Sequence, residues 1–153
     1  MREILFRGKT LTGRWVEGSY YKQEEFYGSK EDADVIITSK ESLTYDQALD
    51  YEIVLSKTVG QYTGLTDKNG KKIFEGDMIK SFDDVIDKMV VEFCHGQFLL
   101  CLYGERDYMA EYGLEESGNY GCFEAEPLSS YGDDIEVIGN IHDNPELLKG
   151  GEG

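Results

Sequence analysis

Gln61-Tyr62-Thr63-Gly64-Leu65-Thr66-Asp67-Lys68-Asn69-Gly70-Lys71-Lys72-Ile73-Phe74-Glu75-Gly76-Asp77-Met78-Ile79-Lys80 is the stretch on which the reading of this chain turns. Asp67-Lys68-Asn69-Gly70 separates two short runs with apolar residues, and an Asn-Gly pair readily takes the positive φ angles of a tight turn, so a hairpin is predicted. A second turn follows at once. In Glu75-Gly76-Asp77 the glycine supplies backbone freedom and Asp77 can bond neighbouring N–H groups, after which Met78 to Phe82 continues as a strand. Turns so closely spaced suit small β-barrels.

The same grammar extends outward. The 153 residues include 18 glycines and only 2 prolines, and the apolar stretches are short and rich in Val, Ile, Tyr and Phe, which favours strands joined by tight turns. Strands are predicted at Ile4 to Arg7, Trp15 to Lys22, Val35 to Thr38, Ile53 to Leu55, Val59 to Thr63, Asp77 to Phe82, Met89 to Cys94, Gln97 to Tyr103 and Ile135 to Ile141. The His95-Gly96 turn makes a hairpin of two of them. Helix is expected in two places only. One lies around Ser42 to Tyr51, and the other is a short C-terminal helix in which Asn144 caps, Pro145 takes the first helical position and Gly150 and Gly151 end it. The expected fold class is therefore mainly β, with small barrel-like or sandwich units and a short C-terminal helix.

The core is expected to hold Ile4, Phe6, Trp15, Val16, Tyr62, Leu65, Ile73, Met78, Ile79, Val91, Phe93, Phe98, Leu100, Val137, Ile138 and Ile141. Residues 1–149 read as one domain or as two small β units, about 1–58 and 59–149, and residues 150–153 as a flexible tail. Gly13 to Lys22 resembles Gly70 to Lys80 with one residue inserted. That fits two related units, and equally the repetition of turn-strand chemistry in any β-rich chain.

Charge narrows the function classes. The chain carries 31 acidic and 15 basic residues, a net charge of −16 with a pI near 4.4, which disfavours direct binding to nucleic acid or to an anionic membrane. Its longest apolar run, Phe98 to Tyr103, is too short to span a bilayer, and the start lacks the apolar run of a secretion signal, so the cytoplasm is the expected location. Cys94, Cys101 and Cys122 are an odd number and read as free thiols of a reducing compartment. With His95 and His142 they offer no Cys-x-x-Cys pair, and in a strand Cys94 and His95 would face opposite ways, so no metal site is expected.

A Cys-His nucleophile has no placed partner, since His95 reads as a turn residue and His142 as the lead from the last strand into the short helix. Phosphate loops, nucleophile elbows and His-Glu-x-x-His pairs are absent from the sequence. Asp83, Asp84 and Asp87 read as a solvated loop. No catalytic residue and no cofactor are expected.

Charge is also unevenly spread. Residues 105–136 hold ten acidic residues against the single Arg106, a net of −9. Aromatic side chains of the kind that enrich protein interfaces are interleaved with them. Glu111, Tyr112, Glu115, Glu116, Tyr120, Phe123, Glu124 and Glu126 form a candidate protein-docking surface that imitates the charge of DNA toward a basic partner; the plainer alternative is an acidic surface insertion serving solubility.

The Gln61 to Asp77 block resembles the hallmark of the YopX family of phage and prophage proteins, in which Tyr62, Gly64, Asp67, Gly70, Glu75, Gly76 and Asp77 match the motif and read as structural turn residues. The start, Ile4 to Gly8, and the end, Glu136 to Leu148, resemble the same family in the same order. The resemblance implies a β-rich, phage-associated intracellular protein that oligomerises, and it brings no activity to carry over by residue. The expected function is a non-enzymatic interaction protein, a homo-oligomer that docks a basic host protein. The alternatives are a self-assembling structural or regulatory oligomer without a host target, and a small-molecule binder or enzyme of unknown class.

Overall fold

The computed structural model describes residues 3–24, 32–39, 50–80, 89–94, 96–102, 126–127 and 134–148. Eleven strands are found among them: β1 Phe6–Lys9, β2 Trp15–Gln23, β3 Ala33–Ile37, β4 Tyr51–Val54, β5 Gly60–Thr66, β6 Lys72–Phe74, β7 Asp77–Lys80, β8 Met89–Cys94, β9 Gln97–Leu102, β10 Glu126–Pro127 and β11 Glu136–Asn140. The protein is mainly β, as the sequence implies, with two antiparallel sheets of strand order β4-β3-β2-β1-β5-β6 and β10-β9-β8-β7-β11. The described parts of the two expected helices do not follow the sequence reading. Tyr51 opens a strand, since its backbone pairs with Ile37, and the rest of the Ser42 helix falls outside the described residues apart from Asp50. At the C-terminus Pro145–Leu148 makes one 3-10 turn instead of a helix. Four residues close too few hydrogen bonds to propagate an α-helix.

Contacts divide the chain into two compact units, Met1–Gly64 and Leu65–Gly153, and β5 carries the chain from one to the other. The first unit is a curled sheet. β1 pairs with β2 from Phe6↔Gly18 to Lys9↔Trp15 and with β5 at Phe6↔Gln61, while β3 lies between β2 and β4. The curl returns β4 to the end of β1, where Thr10 bridges Val54 and Leu55 N donates to Lys9 O at 2.8 Å. Thr58 fastens the junction, accepting from Lys9 N at 2.9 Å and donating to Leu55 O at 2.7 Å.

Inside the curl Val16, Ile36 and Val54 are buried, with Phe6, Tyr20 and Val59 packed against them. By strand alternation Arg7 faces the other way, and its guanidinium lies 4.8 Å from the Trp15 ring centroid. Two glycines allow the close approach of strands: a Cβ on Gly8 would stand 2.8 Å from a Val54 methyl, and one on Gly18 would stand 1.9 Å from the Ile37 carbonyl oxygen.

One polar group closes over this core. The Tyr20 hydroxyl donates to Asp34 Oδ1 at 2.5 Å, and the Ser56 hydroxyl donates to the other oxygen of the same carboxylate. The bond to Asp34, then burial, then the Asp34 charge push the Tyr20 phenol from 10.0 up to about 12. The donated bonds from Ser56 and Tyr20 hold Asp34 below its ordinary value. Because the folded phenol binds its proton more tightly than the unfolded one, the stabilisation is complete below pH 10 and is lost as pH rises toward 12. An ultraviolet titration is expected to show the Tyr20 phenol ionising near pH 12, in step with unfolding of the first unit, and Tyr20→Phe is expected to remove that contribution.

In the second unit Val91 pairs with Leu100, Met78 with Val90 and Val137 with Ile79, with a bulge between Val137 and Gly139. One face buries Ile79, Met89, Val91, Phe98, Leu100 and Val137, joined by Ile73 and Ile135. On the opposite face Met78, Val90, Leu99 and Cys101 are no more than 5% exposed, so both faces of the sheet are covered. Pro127 sits in the outermost strand β10, where a residue without an N–H is tolerated.

Several residues expected inside are outside. Ile4, Leu65, Phe93 and Ile138 are exposed: Leu65 follows the positive φ of Gly64, Ile138 stands at the bulge, and Phe93, at the hairpin end, packs only edge-on against Phe98.

Candidate functional site

Asp67 is the hub of the central block. As the first residue of the Asn69-Gly70 turn it is buried, and its Oδ1 accepts from Asn69 N and from Lys71 N, each at 2.9 Å. The turn itself closes through Gly70 N to Asp67 O at 2.9 Å and Asp67 N to Lys71 O at 2.8 Å, with Gly70 at φ +78. Asp67 Oδ2 reaches across the unit to accept from Val137 N at 3.0 Å, and Lys68 N donates to Ile135 O at 2.9 Å. Burial alone would raise the Asp67 carboxyl; the N–H groups of Val137, Lys71 and Asn69, aided by the Lys71 charge, outweigh it and hold the group below its ordinary value. The Val137 N–H at the free side of β11 and the Ile135 carbonyl just before the strand are thereby occupied, which blunts a sheet edge.

The second turn is tied to the same strand. Asp77 is 1% exposed and its Oδ2 accepts from Phe74 N at 2.8 Å. Gly76, at φ +85, donates its N–H to Val91 O at 2.8 Å and accepts from Ile141 N at 3.0 Å. At the end of β11, Asn140 Oδ1 accepts from His142 N and Asp143 N at 3.0 and 2.9 Å, while its amide donates to the Asp143 carboxylate at 3.1 Å. Asn144 Oδ1 accepts from Asn140 N at 3.3 Å and lies 2.5 Å from where a Gly139 Cβ would be.

The structure thus brings Asp67, Gly70, Gly76 and Asp77 together with the C-terminal block Glu136 to Asn144. Asp67 and Asp77 both accept bonds from backbone N–H groups, the pattern by which an aspartate side chain closes a turn. Glu75 occupies the two-residue turn between β6 and β7. Tyr62 and Gly64 belong to the first unit, where Tyr62 is buried and its N–H donates to Leu5 O at 2.7 Å. Sequence reasoning missed Gly139, Asn140 and Asn144 as a turn, although Gly-Asn-Ile-His-Asp-Asn is dense in residues that bond their own backbone.

Of the candidate docking surface only Glu126 is among the described residues, in β10, where its backbone pairs with Leu100; Glu111, Tyr112, Glu115, Glu116, Tyr120, Phe123 and Glu124 lie outside them. His95, Cys122, Asp83, Asp84 and Asp87 lie outside as well. Cys101 is a buried thiol of β9. Among the described residues no cluster of three or more His, Cys, Asp or Glu side chains could hold a metal ion, and no helix is long and apolar enough to cross a membrane.

Protein EF1440 from Enterococcus faecalis, known from its crystal structure, is similar to this chain, with a TM-score of 0.50 and 25% sequence identity over 97% of this chain and 100% of that one. No curated protein matches. The model of the YopX protein family matches residues 5–149, a span that takes in both turns of the central block and the turn that follows Asn140. The chain belongs to the YopX family.

Proposed function

We propose that this protein is a phage-encoded binding module without catalysis of its own, which docks a basic, nucleic-acid-binding host protein inside the host cell through residues 105–136. The observation that carries this reading is the net charge of −9 in that stretch, interleaved with the aromatic residues that anchor interfaces. The use of Asp67, Asp77 and Asn140 as turn locks adds support, since the family block then builds the scaffold and leaves recognition to the segment between β9 and β11. Self-association of the same module into a homo-oligomer fits the reading, with two copies presenting two acidic surfaces.

The test is capture from host lysate on the immobilised protein, beside a variant carrying Gln at positions 111, 115, 116, 124 and 126. The parent is expected to retain a basic nucleic-acid-binding protein that duplex DNA and rising salt both displace, because charge-driven contacts are screened by salt; the variant is expected to lose it. Retention unchanged by neutralisation overturns the acidic surface. Recovery of the bait alone transfers the reading to self-assembly, with the stretch serving solubility.

A further inference from the structure

We infer that Asn69 is a self-modification site, at which the side-chain amide is lost and the backbone isomerises, and that the Asp67 carboxylate is the clamp that sets the rate. The reaction is intramolecular. The Gly70 backbone nitrogen attacks the Asn69 side-chain carbonyl carbon; an N–C bond forms, the C–NH2 bond breaks, and ammonia leaves with the proton from the Gly70 nitrogen. One water then opens the resulting five-membered imide at either carbonyl, giving aspartate or isoaspartate at position 69. A following glycine is the residue that hinders this attack least, because it has no Cβ beside the attacking nitrogen.

The structure singles out this asparagine. Lys68, Asn69 and Gly70 are all exposed, and beyond the two adjoining residues no heavy atom lies within 4 Å of where a Gly70 Cβ would stand. Asn140 is buried, with its amide held by Asp143 and the following turn. Asn144 precedes Pro145, whose nitrogen has no proton to give up. Asn119 precedes the bulky Tyr120.

The same turn restrains the reaction. Gly70 N–H is committed to Asp67 O, and Asp67 Oδ1 holds the N–H groups on both sides, Asn69 and Lys71. Attack therefore requires the turn to open, and what keeps it closed is a carboxylate anchored through Val137 to β11. The product reverses that protection. Isoaspartate inserts one carbon into the main chain between the residues whose N–H groups share Asp67 Oδ1, and it adds a negative charge beside a buried carboxylate, so the bond to Val137 is weakened in turn. Ageing at Asn69 is thus transmitted to the edge strand of the second unit.

The test incubates the whole protein in mildly alkaline buffer and follows position 69 by peptide mapping and by labelling with an isoaspartyl methyltransferase. Native protein is expected to accumulate label at position 69 ahead of its other asparagines, and Asn69→Gln is expected to abolish it. Asp67→Ser, which keeps one short acceptor in the turn, is expected to label faster on the order of tenfold, equivalent to ~1.4 kcal/mol in the opening equilibrium. Chain unfolded in urea provides the unclamped rate should that variant not fold. In the labelled fraction, amide exchange at Val137 is expected to rise. Faster labelling of another asparagine than of position 69, or equal rates in native and unfolded chain, overturns the inference.

Discussion

Gly18→Ala is expected to remove about 3 kcal/mol or more from the stability of the first unit, toward the upper end of what overpacking costs. The added methyl would stand 1.9 Å from the Ile37 carbonyl oxygen and 2.8 Å from its carbon, and both atoms belong to the backbone of β3, which no rotamer change can move aside. Ser19↔Ile37 is the first of five pairings between β2 and β3, so relief must come from prising those strands apart over the Val16–Ile36–Val54 core. Gly13→Ala is the control. Gly13 has φ +87 with only the Lys9 side chain nearby, so it tests backbone strain alone, at about 1–2 kcal/mol. Urea unfolding followed by circular dichroism and tryptophan fluorescence separates the two, since Trp15 is the only tryptophan and lies in β2. Equal costs at both positions would show that the approach of β3 is not what requires glycine at 18.

Asp67→Ala is expected to cost the second unit about 3–5 kcal/mol, because backbone N–H groups of Asn69, Lys71 and Val137 lose a charged acceptor at a buried site and each lost bond is worth roughly 1–3 kcal/mol. The effect carries a pH signature. The folded carboxyl titrates below its ordinary value of 3.8, so its contribution is present above that pH and is lost as pH falls through the lower folded value. The stability gap between parent and variant, measured by urea unfolding at a series of pH values, should therefore be widest near neutrality and shrink in acid. A gap that stays constant into acid would mean that Asp67 acts through packing and not as a carboxylate. Asp67→Asn keeps an acceptor for the turn and should fall between the two.

What the sequence discloses and what it hides divide by distance along the chain. The turns at Asn69-Gly70 and Glu75-Gly76-Asp77 are legible because their chemistry is contained within four residues, and the β8–β9 hairpin is legible for the same reason. The bond from Asp67 to Val137 joins residues 70 positions apart, and no local signal marks it. Gly18 reads as an ordinary strand glycine until β3 is laid beside it. Tyr51 carries weak local preference in either direction, and pairing with β3 decides for strand over helix, as tertiary context commonly does. Hydrophobicity points Leu65, Phe93 and Ile138 inward, but strand ends and a bulge interrupt the alternation that would place them there. Residue types alone read the Asp67 turn as structural; the bond that ties it to β11 is visible only in the fold.

The anchoring of Asp67 by Val137 also sets an order of events during synthesis. At roughly 5–20 residues per second, a ribosome needs about 4–14 s to deliver Val137 after Asp67. Throughout that interval every strand of the first unit up to Gly64 has already been made, whereas the central turn lacks its distant donor and β7 lacks β11 beside it. The first unit can close while the second is still waiting for its last strand. A chain arrested before Glu136 would therefore present a finished N-terminal curled sheet followed by an uncovered β7 edge, the kind of nascent intermediate on which chaperones act.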